Sequence, residues 1–239
     1  MNATEKQQTK PRSLCVCMPG PSFSSTWMQH WDDLYIHLLS HFHLRKTWGW
    51  GNNIYLVREG CLQSAMGMDP NGPPDLILWL DSDNPPELKN FELLLAAMDA
   101  SEEVSIVGGW YRYFNPFTLQ VYIAAGWRDR NVTEAELIEA DHLVEVDYVG
   151  FGMCLMRRKV IEDIGIEDCF SPLRYRDVGI TPKPGGREWA TDDDGFGQRA
   201  KYAGHRVFVH PAVFSHHEKQ MNVPGSFEGR NETPQLKEL

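Results

Sequence analysis

Residues 75–86 read Asp75-Leu-Ile-Leu-Trp-Leu-Asp81-Ser82-Asp83-Asn84-Pro85-Pro86. Five apolar residues in unbroken succession predict a strand covered on both faces, as in the centre of an α/β sheet. The run stops at two carboxylates one residue apart, followed by turn formers. Ligands of open α/β sheets bind beyond the carboxyl ends of the strands. Two acids at such an end repel each other unless something neutralises them. A hard divalent cation does so, and it bridges to substrate phosphates as Mg2+ or Mn2+ does with one or two carboxylates. Asp81-Ser82-Asp83 is therefore the leading candidate for a metal and phosphate site. A plain turn is the competing reading.

Working outward, Ser13–Met18 predicts a buried strand that runs into Pro19-Gly20-Pro21. Residues 25–42 carry Trp27, Trp31, Leu34, Leu38 and Leu39 at helical spacing, after a Ser-Ser-Thr start suited to capping. A second strand is expected over Arg45–Gly51. A second helix follows over 53–68, with Ile54, Val57, Cys61, Leu62 and Ala65 on its apolar side. Arg58 on that helix is placed to pair with a pyrophosphate, or is simply solvated. A helix over 86–100 and a strand over Val104–Tyr111 complete an alternation that argues for an α/β fold with a mostly parallel central sheet flanked by helices.

The second half is more mixed. Strands are expected over 117–125, over Val144–Met156 with interruptions at Gly150 and Gly152, and over 206–215. Helices are expected over 157–164 and 192–203. Residues 127–142 are polar and acidic, and 171–187 read as a loop rich in Pro, Gly and Arg. No linker and no internal repeat divides the chain. The expectation is one domain over 13–218, with a flexible leader at 1–12 and a tail at 219–239.

Composition bounds the function. The chain has 239 residues, of which 42% are hydrophobic and 23% charged. A chain this long buries about 70–75% of its unfolded surface and needs no disulfide staples. The net charge of −10 and pI near 5.3 weigh against a broad basic face for nucleic acid, though not against a local basic groove. An acidic protein that handles anions needs a metal or a few placed arginines. Five cysteines without a C-x-x-C spacing read as reduced, buried thiols of a cytoplasmic protein. No apolar run is long enough to span a membrane, and MNATEKQQTKPRS has no apolar signal core.

Other segments carry candidate chemistry. Asp192-Asp193-Asp194 opens a predicted helix, where one acid suffices as a cap; an additional carboxylate in a cleft can act as general base. His210, His216, His217 and Glu218 offer metal-ligand chemistry near the last strand. Gly150 and Gly152 would let a substrate approach the backbone. Gly109, Trp110 and Tyr111 close a strand end, and Trp110 and Trp189 sit beside the glycine and acidic segments, where an aromatic face can stack on a sugar.

Taken together in order and spacing, these segments resemble the family 2-like GT-A glycosyltransferases of bacteria and bacteriophages. The resemblance runs from about residue 14 to 217. It rests on the Pro19-Gly20 loop, Leu56-Val57-Arg58, Leu-Trp-Leu-Asp81-Ser82-Asp83, and Gly108-Gly109-Trp110-Tyr111. It continues through Gly150-Phe151-Gly152-Met153, Asp192-Asp193-x-x-Phe196, Ala203-Gly204 through Pro211, and His216. It implies a GT-A (Rossmann-like) domain whose half at 13–111 takes a nucleotide sugar, a UDP-sugar first, and whose half at 112–218 takes the acceptor. Asp81 and Asp83 would hold Mn2+ or Mg2+ on the diphosphate, with His216 as a further ligand and His217 hard to separate from it. Pro19, Gly20, Arg58 and Ser82 would face the nucleotide. Asp193 falls on the acid that serves as base in inverting members; Asp192 stands where Glu is usual, so the base is one of Asp192, Asp193 and Asp194.

The expected reaction is direct displacement at the anomeric carbon by a hydroxyl acceptor, either a glycan or a hydroxymethylated base in phage DNA. Arg174, Arg176, Lys183 and Arg187 form a local basic loop near the proposed base. A nucleotidyltransferase of related fold is a weaker alternative, because the Pro19 loop carries no Lys or Arg. A non-catalytic nucleotide- or carbohydrate-binding module is a third, disfavoured by the cost of unused buried carboxylates.

Overall fold

The computed structural model describes residues 11–67, 70, 72–115, 120–179 and 188–218. The 219–239 tail, most of the 1–12 leader, and Lys183 and Arg187 of the basic loop lie outside them. The chain opens with β1 (Ser13–Pro19), α1 (Ser25–His41), β2 (His43–Gly49), α2 (Ile54–Gly67), β3 (Leu76–Leu80), α3 (Leu88–Ala100) and β4 (Val104–Trp110). The expected alternation is present. Ser24 caps α1 by accepting from the Trp27 amide at 2.9 Å. There follow β5 (Arg112–Asn115), β6 (Gln120–Ile123), β7 (Ala125–Trp127), β8 (Arg130–Asn131), α4 (Glu134–Glu139), β9 (Val144–Val146), β10 (Tyr148–Val149) and β11 (Met153–Arg157). The chain closes with α5 (Arg158–Ile164), α6 (Asp192–Tyr202) and β12 (Arg206–Phe214).

The central sheet has seven strands in the order β2-β1-β3-β11-β4-β12-β9. β1, β2, β3, β4 and β12 run one way; β11 and β9 run against them. The expected strand over Val144–Met156 is therefore three short strands. β9 and β11 join the central sheet, while β10 pairs with β7 in a small sheet with β8. Gly150 and Gly152 mark the turn between β10 and β11.

β3 is buried along its whole length, as its sequence requires. Its side chains alternate between two cores. Leu76, Leu78 and Leu80 pack with Trp27, Leu34, Leu38, Phe91 and Leu94 of α1 and α3. Ile77 and Trp79 pack with Cys61 and Leu62 of α2, Val160 of α5 and Phe196 of α6. Each large apolar side chain so enclosed contributes about 1.5–3 kcal/mol. All five cysteines are buried and none is disulfide-bonded.

The α2 face differs from the expected one. Arg58, Cys61, Leu62 and Ala65 point inward, while Ile54 is exposed. The helix is rolled so that a guanidinium enters the interior, which only a pair of acidic partners makes tolerable.

Candidate active site

β3, β4 and β12 end at one edge of the sheet. They lead into Asp81-Ser82-Asp83, Tyr111 and Ser215-His216-His217 respectively. Buried polar side chains lock these exits together. Asn84 Nδ2 donates to His216 O at 2.9 Å, and Asn90 Nδ2 donates to Phe214 O at 2.9 Å. The Ser215 amide continues the β4 ladder by donating to Trp110 O at 2.9 Å, and the Glu218 amide donates to Asp83 O at 2.6 Å. The Pro19-Gly20 loop abuts the same edge. Gly20 has φ +145°, and a Cβ there would stand 2.0 Å from Ser82 Oγ. Only glycine fits.

Arg58 reaches this edge from below. It pairs with Asp81 through Nη1 at 2.9 Å and Nη2 at 3.1 Å, and its Nε donates to Asp192. The guanidinium lies 4.7 Å from the Phe151 ring centre and 5.6 Å from that of Trp79. Burial alone would lower its pKa, but Asp81 and Asp192 outweigh burial and hold it above the usual arginine value. Burial pushes Asp81 up, against the pull of Arg58. Arg58 is thus an internal clamp between two acids rather than a side chain presented to a pyrophosphate. The electrostatic reason is plain: either acid left alone at this depth would be costly.

Beyond the edge opens a cleft of about 620 Å3. Asp83, Tyr111, Asp192, Asp193, Asp194 and His217 line one side of it. His217 Nε2 lies 3.0 Å from Asp83 Oδ2, and its ring centre lies 4.9 Å from that of Tyr111. The three successive acids of α6 have different surroundings. Asp192 is held by Arg58. Asp194 is buried, accepts from Tyr175 Oη, and accepts from Gln198 Nε2 at 3.4 Å. Among the described residues Asp193 accepts locally, from Thr191 Oγ1 and from the Asp194 amide at 2.9 Å. Burial first, then the charge of Asp192, pushes the Asp193 pKa up to about 6. Gly197 lets α6 sit this close: a Cβ there would stand 2.3 Å from Asp147 O.

Several sequence candidates lie elsewhere. His216 is exposed, with its ring edge-on to Phe214 at 5.3 Å; it does not line the cleft, whereas its neighbour His217 does. Adjacent residues leaving a strand point to opposite sides. Trp110 is core: its Nε1 donates to Pro211 O at 2.7 Å and its ring packs on Phe214 at 4.7 Å. Trp189 lies under Arg174, at 4.5 Å, outside the cleft. The glycines serve internal packing. A Cβ on Gly109 would meet Val213 at 2.6 Å, on Gly150 the Tyr111 hydroxyl at 2.6 Å, and on Gly152 Asn84 at 2.7 Å. Of the basic loop's described members, Arg176 pairs with Glu188 at 3.0 Å.

The far wall of the cleft was not singled out in the sequence. It comprises Tyr113, Tyr122, Trp127, Arg128, Arg130 and Tyr148. The register of β5 against β6 sets Tyr113 opposite Tyr122, a pairing that no spacing within either strand announces.

The chain is an α/β protein with a seven-stranded central sheet flanked by helices, whose acids gather at one sheet edge. No family model and no curated protein matches it. Among solved structures, A197 from STIV superposes with a TM-score of 0.50 and 17% identity, over 82% of this chain and 81% of that one. GalNAc-T7, solved with UDP, GalNAc and Mn2+, gives 0.48 and 11% over 92% of this chain and 46% of its own. The mannosyltransferase PcManGT from Pyrobaculum calidifontis, solved with GDP-Man and Mn2+, gives 0.49 and 11% over 90% and 59%. The likeness to A197, at 17% identity, is one of fold alone.

Proposed function

We propose that the chain is a metal-dependent glycosyltransferase of the GT-A type. It moves a sugar from a nucleotide sugar, a UDP-sugar first, to a hydroxyl acceptor with inversion. The observation that carries this reading is the shared cleft: a carboxylate with a pKa near 6 lines the same space as the Asp83–His217 pair.

The pair fits Mn2+ or Mg2+. A half-buried carboxylate and an imidazole nitrogen are acceptable donors. Among the described residues no three His, Cys, Asp or Glu side chains form a complete ligand set, so phosphate oxygens and water would supply the rest. Bound there, the ion would stabilise charge developing on the leaving diphosphate. Asp81 and Arg58 keep the loop that carries Asp83 in place. Asp193 takes the proton of the acceptor hydroxyl while that oxygen bonds to the anomeric carbon. The bond from that carbon to the diphosphate breaks, and the electron pair leaves with the nucleoside diphosphate. Asp193 suits the role because its pKa allows it to be ionised at neutral pH and still basic enough to accept the proton.

A panel of nucleotide sugars, incubated with the protein and Mn2+, tests the reading through released nucleoside diphosphate. Release from at least one donor, abolished by chelation, is expected. No binding and no release across UDP-, GDP-, ADP- and dTDP-sugars overturns it. Among the described residues no helix is long and apolar enough to cross a membrane.

A further inference from the structure

The far wall of the cleft is aromatic. β5 and β6 pair in a register that sets Tyr113 directly opposite Tyr122, and their rings stack at 5.6 Å with 27° between planes. Trp127 and Tyr148 extend the wall. Such rings offer flat apolar faces with polar edges. They suit a sugar ring, and they equally suit an unstacked nucleobase.

Charge separates the two. Five carboxylates (Asp83, Asp129, Asp192, Asp193 and Asp194) line the cleft, against the two cations Arg128 and Arg130 among the described residues. Arg130 is already bound to Glu136 at 2.7 and 2.8 Å and lies 4.2 Å over Trp127. Arg128 Nη2 donates to Gly179 O at 3.1 Å. Nucleic-acid binding rests on neutralising several phosphates with Lys and Arg, and the side of the cleft opposite the tyrosines instead presents Asp83, Asp193 and Asp194 to them, Asp192 being held by Arg58. An uncharged sugar meets no such repulsion, and its hydroxyls donate to carboxylates.

We propose that the acceptor is an uncharged carbohydrate seated on the Tyr113–Tyr122 platform of the β5–β6 hairpin, with a hydroxyl directed at Asp193. This rests on the glycosyl-transfer reading above. It separates the glycan from the modified DNA base that the sequence left side by side, and it excludes acidic glycans as preferred acceptors.

The test uses the whole chain with Mn2+ and a nucleotide sugar that it binds by calorimetry. Nucleotide release is followed after addition of maltotetraose, chitotetraose, a hyaluronan tetrasaccharide, or a DNA duplex carrying 5-hydroxymethylcytosine. Stimulation by a neutral tetrasaccharide above the other two is expected. Stimulation by the duplex or hyaluronan instead, or by none of the four, overturns the proposal. Tyr122→Ala should raise the neutral acceptor's KM about three- to tenfold, more than it lowers kcat, and Tyr122→Phe should restore most of it. An unchanged KM in Tyr122→Ala refutes the platform. If no nucleotide sugar binds at all, the parent reading fails and takes this one with it. Donor binding with transfer to the duplex sinks only the present proposal.

Discussion

His217 Nε2 and Asp83 Oδ2 stand 3.0 Å apart although 134 positions separate them in the chain. The contact exists because the segment after β12 is pinned to the β3 exit by the Glu218 amide on Asp83 O and by Asn84 on His216 O. Asp83→Ala and His217→Ala should each weaken Mn2+-dependent UDP binding by at least about tenfold, the scale on which even outer partners of a metal site act. His216→Ala should leave it unchanged, because that ring lies outside the cleft. Isothermal calorimetry with and without Mn2+ reads all three. Equal losses in His216→Ala and His217→Ala would defeat the assignment.

Asp193 ties activity and stability to pH in opposite senses. As a base it must be ionised, so kcat/KM should fall as pH drops through about 6. Asp193→Asn should lower kcat by about 10²–10⁴ while donor binding survives. The folded protein holds this proton more tightly than the unfolded chain, whose carboxyl has its ordinary value of 3.8. The associated stability is complete below pH 4 and is lost as pH rises through about 6. Asp193→Asn carries no charge, so at pH 7 it should be more stable than the parent by about 1–3 kcal/mol. The gap should close below pH 4. Urea unfolding at pH 4, 5.5 and 7 follows it, and a gap independent of pH would rule out the elevated pKa.

The backbone plan is readable because its signals are local. Leu76–Leu80 is an unbroken apolar run, and Asp81 ends it abruptly; each expected helix carries its own periodicity. What the sequence hides is the pairing of distant charges. Arg58 reads as a surface residue because nothing within a turn of α2 announces Asp81 or Asp192. Consequently Ile54 and Val57 look like the core side of the helix. His216 and His217 cannot be told apart locally, since their sides depend on the register shift in β12 between Val209 and Phe214. Trp110 follows two glycines, which suggests an open site. In the fold Gly109 lets β4 close on β12 and Gly108 makes room for Val149 of β10, so the ring is enclosed. The tyrosine wall is scattered from Tyr113 to Tyr148 and assembles only when the small sheets fold over the edge.

Arg58 holds two carboxylates at once, so its removal leaves both without their counter-charge. Arg58→Met should destabilise the protein by about 3–5 kcal/mol. Arg58→Lys should recover little, because an ammonium cannot reproduce the two-pronged ion pair with Asp81 together with the hydrogen bond to Asp192. Urea denaturation at pH 7 measures both. A loss below about 1 kcal/mol in Arg58→Met, within the range of surface ion pairs, would mean that the clamp is not formed in solution.

Gly20 and Ser82 test whether the first loop sets the position of the metal-facing loop. Gly20→Ala places a methyl 2.0 Å from Ser82 Oγ at a φ of +145°. Backbone strain of this kind costs about 1–3 kcal/mol, and the clash adds to it. Ser82 can yield only by shifting the segment that carries Asp81 and Asp83, so Gly20→Ala should weaken Mn2+-dependent nucleotide binding as well as lower the Tm. Ser82→Gly removes both clashing atoms but not the strain. The double variant should therefore regain nucleotide affinity and only part of the stability, giving a coupling energy of about 0.5–3 kcal/mol. Additive losses in the two single variants would show that the loops do not bear on each other.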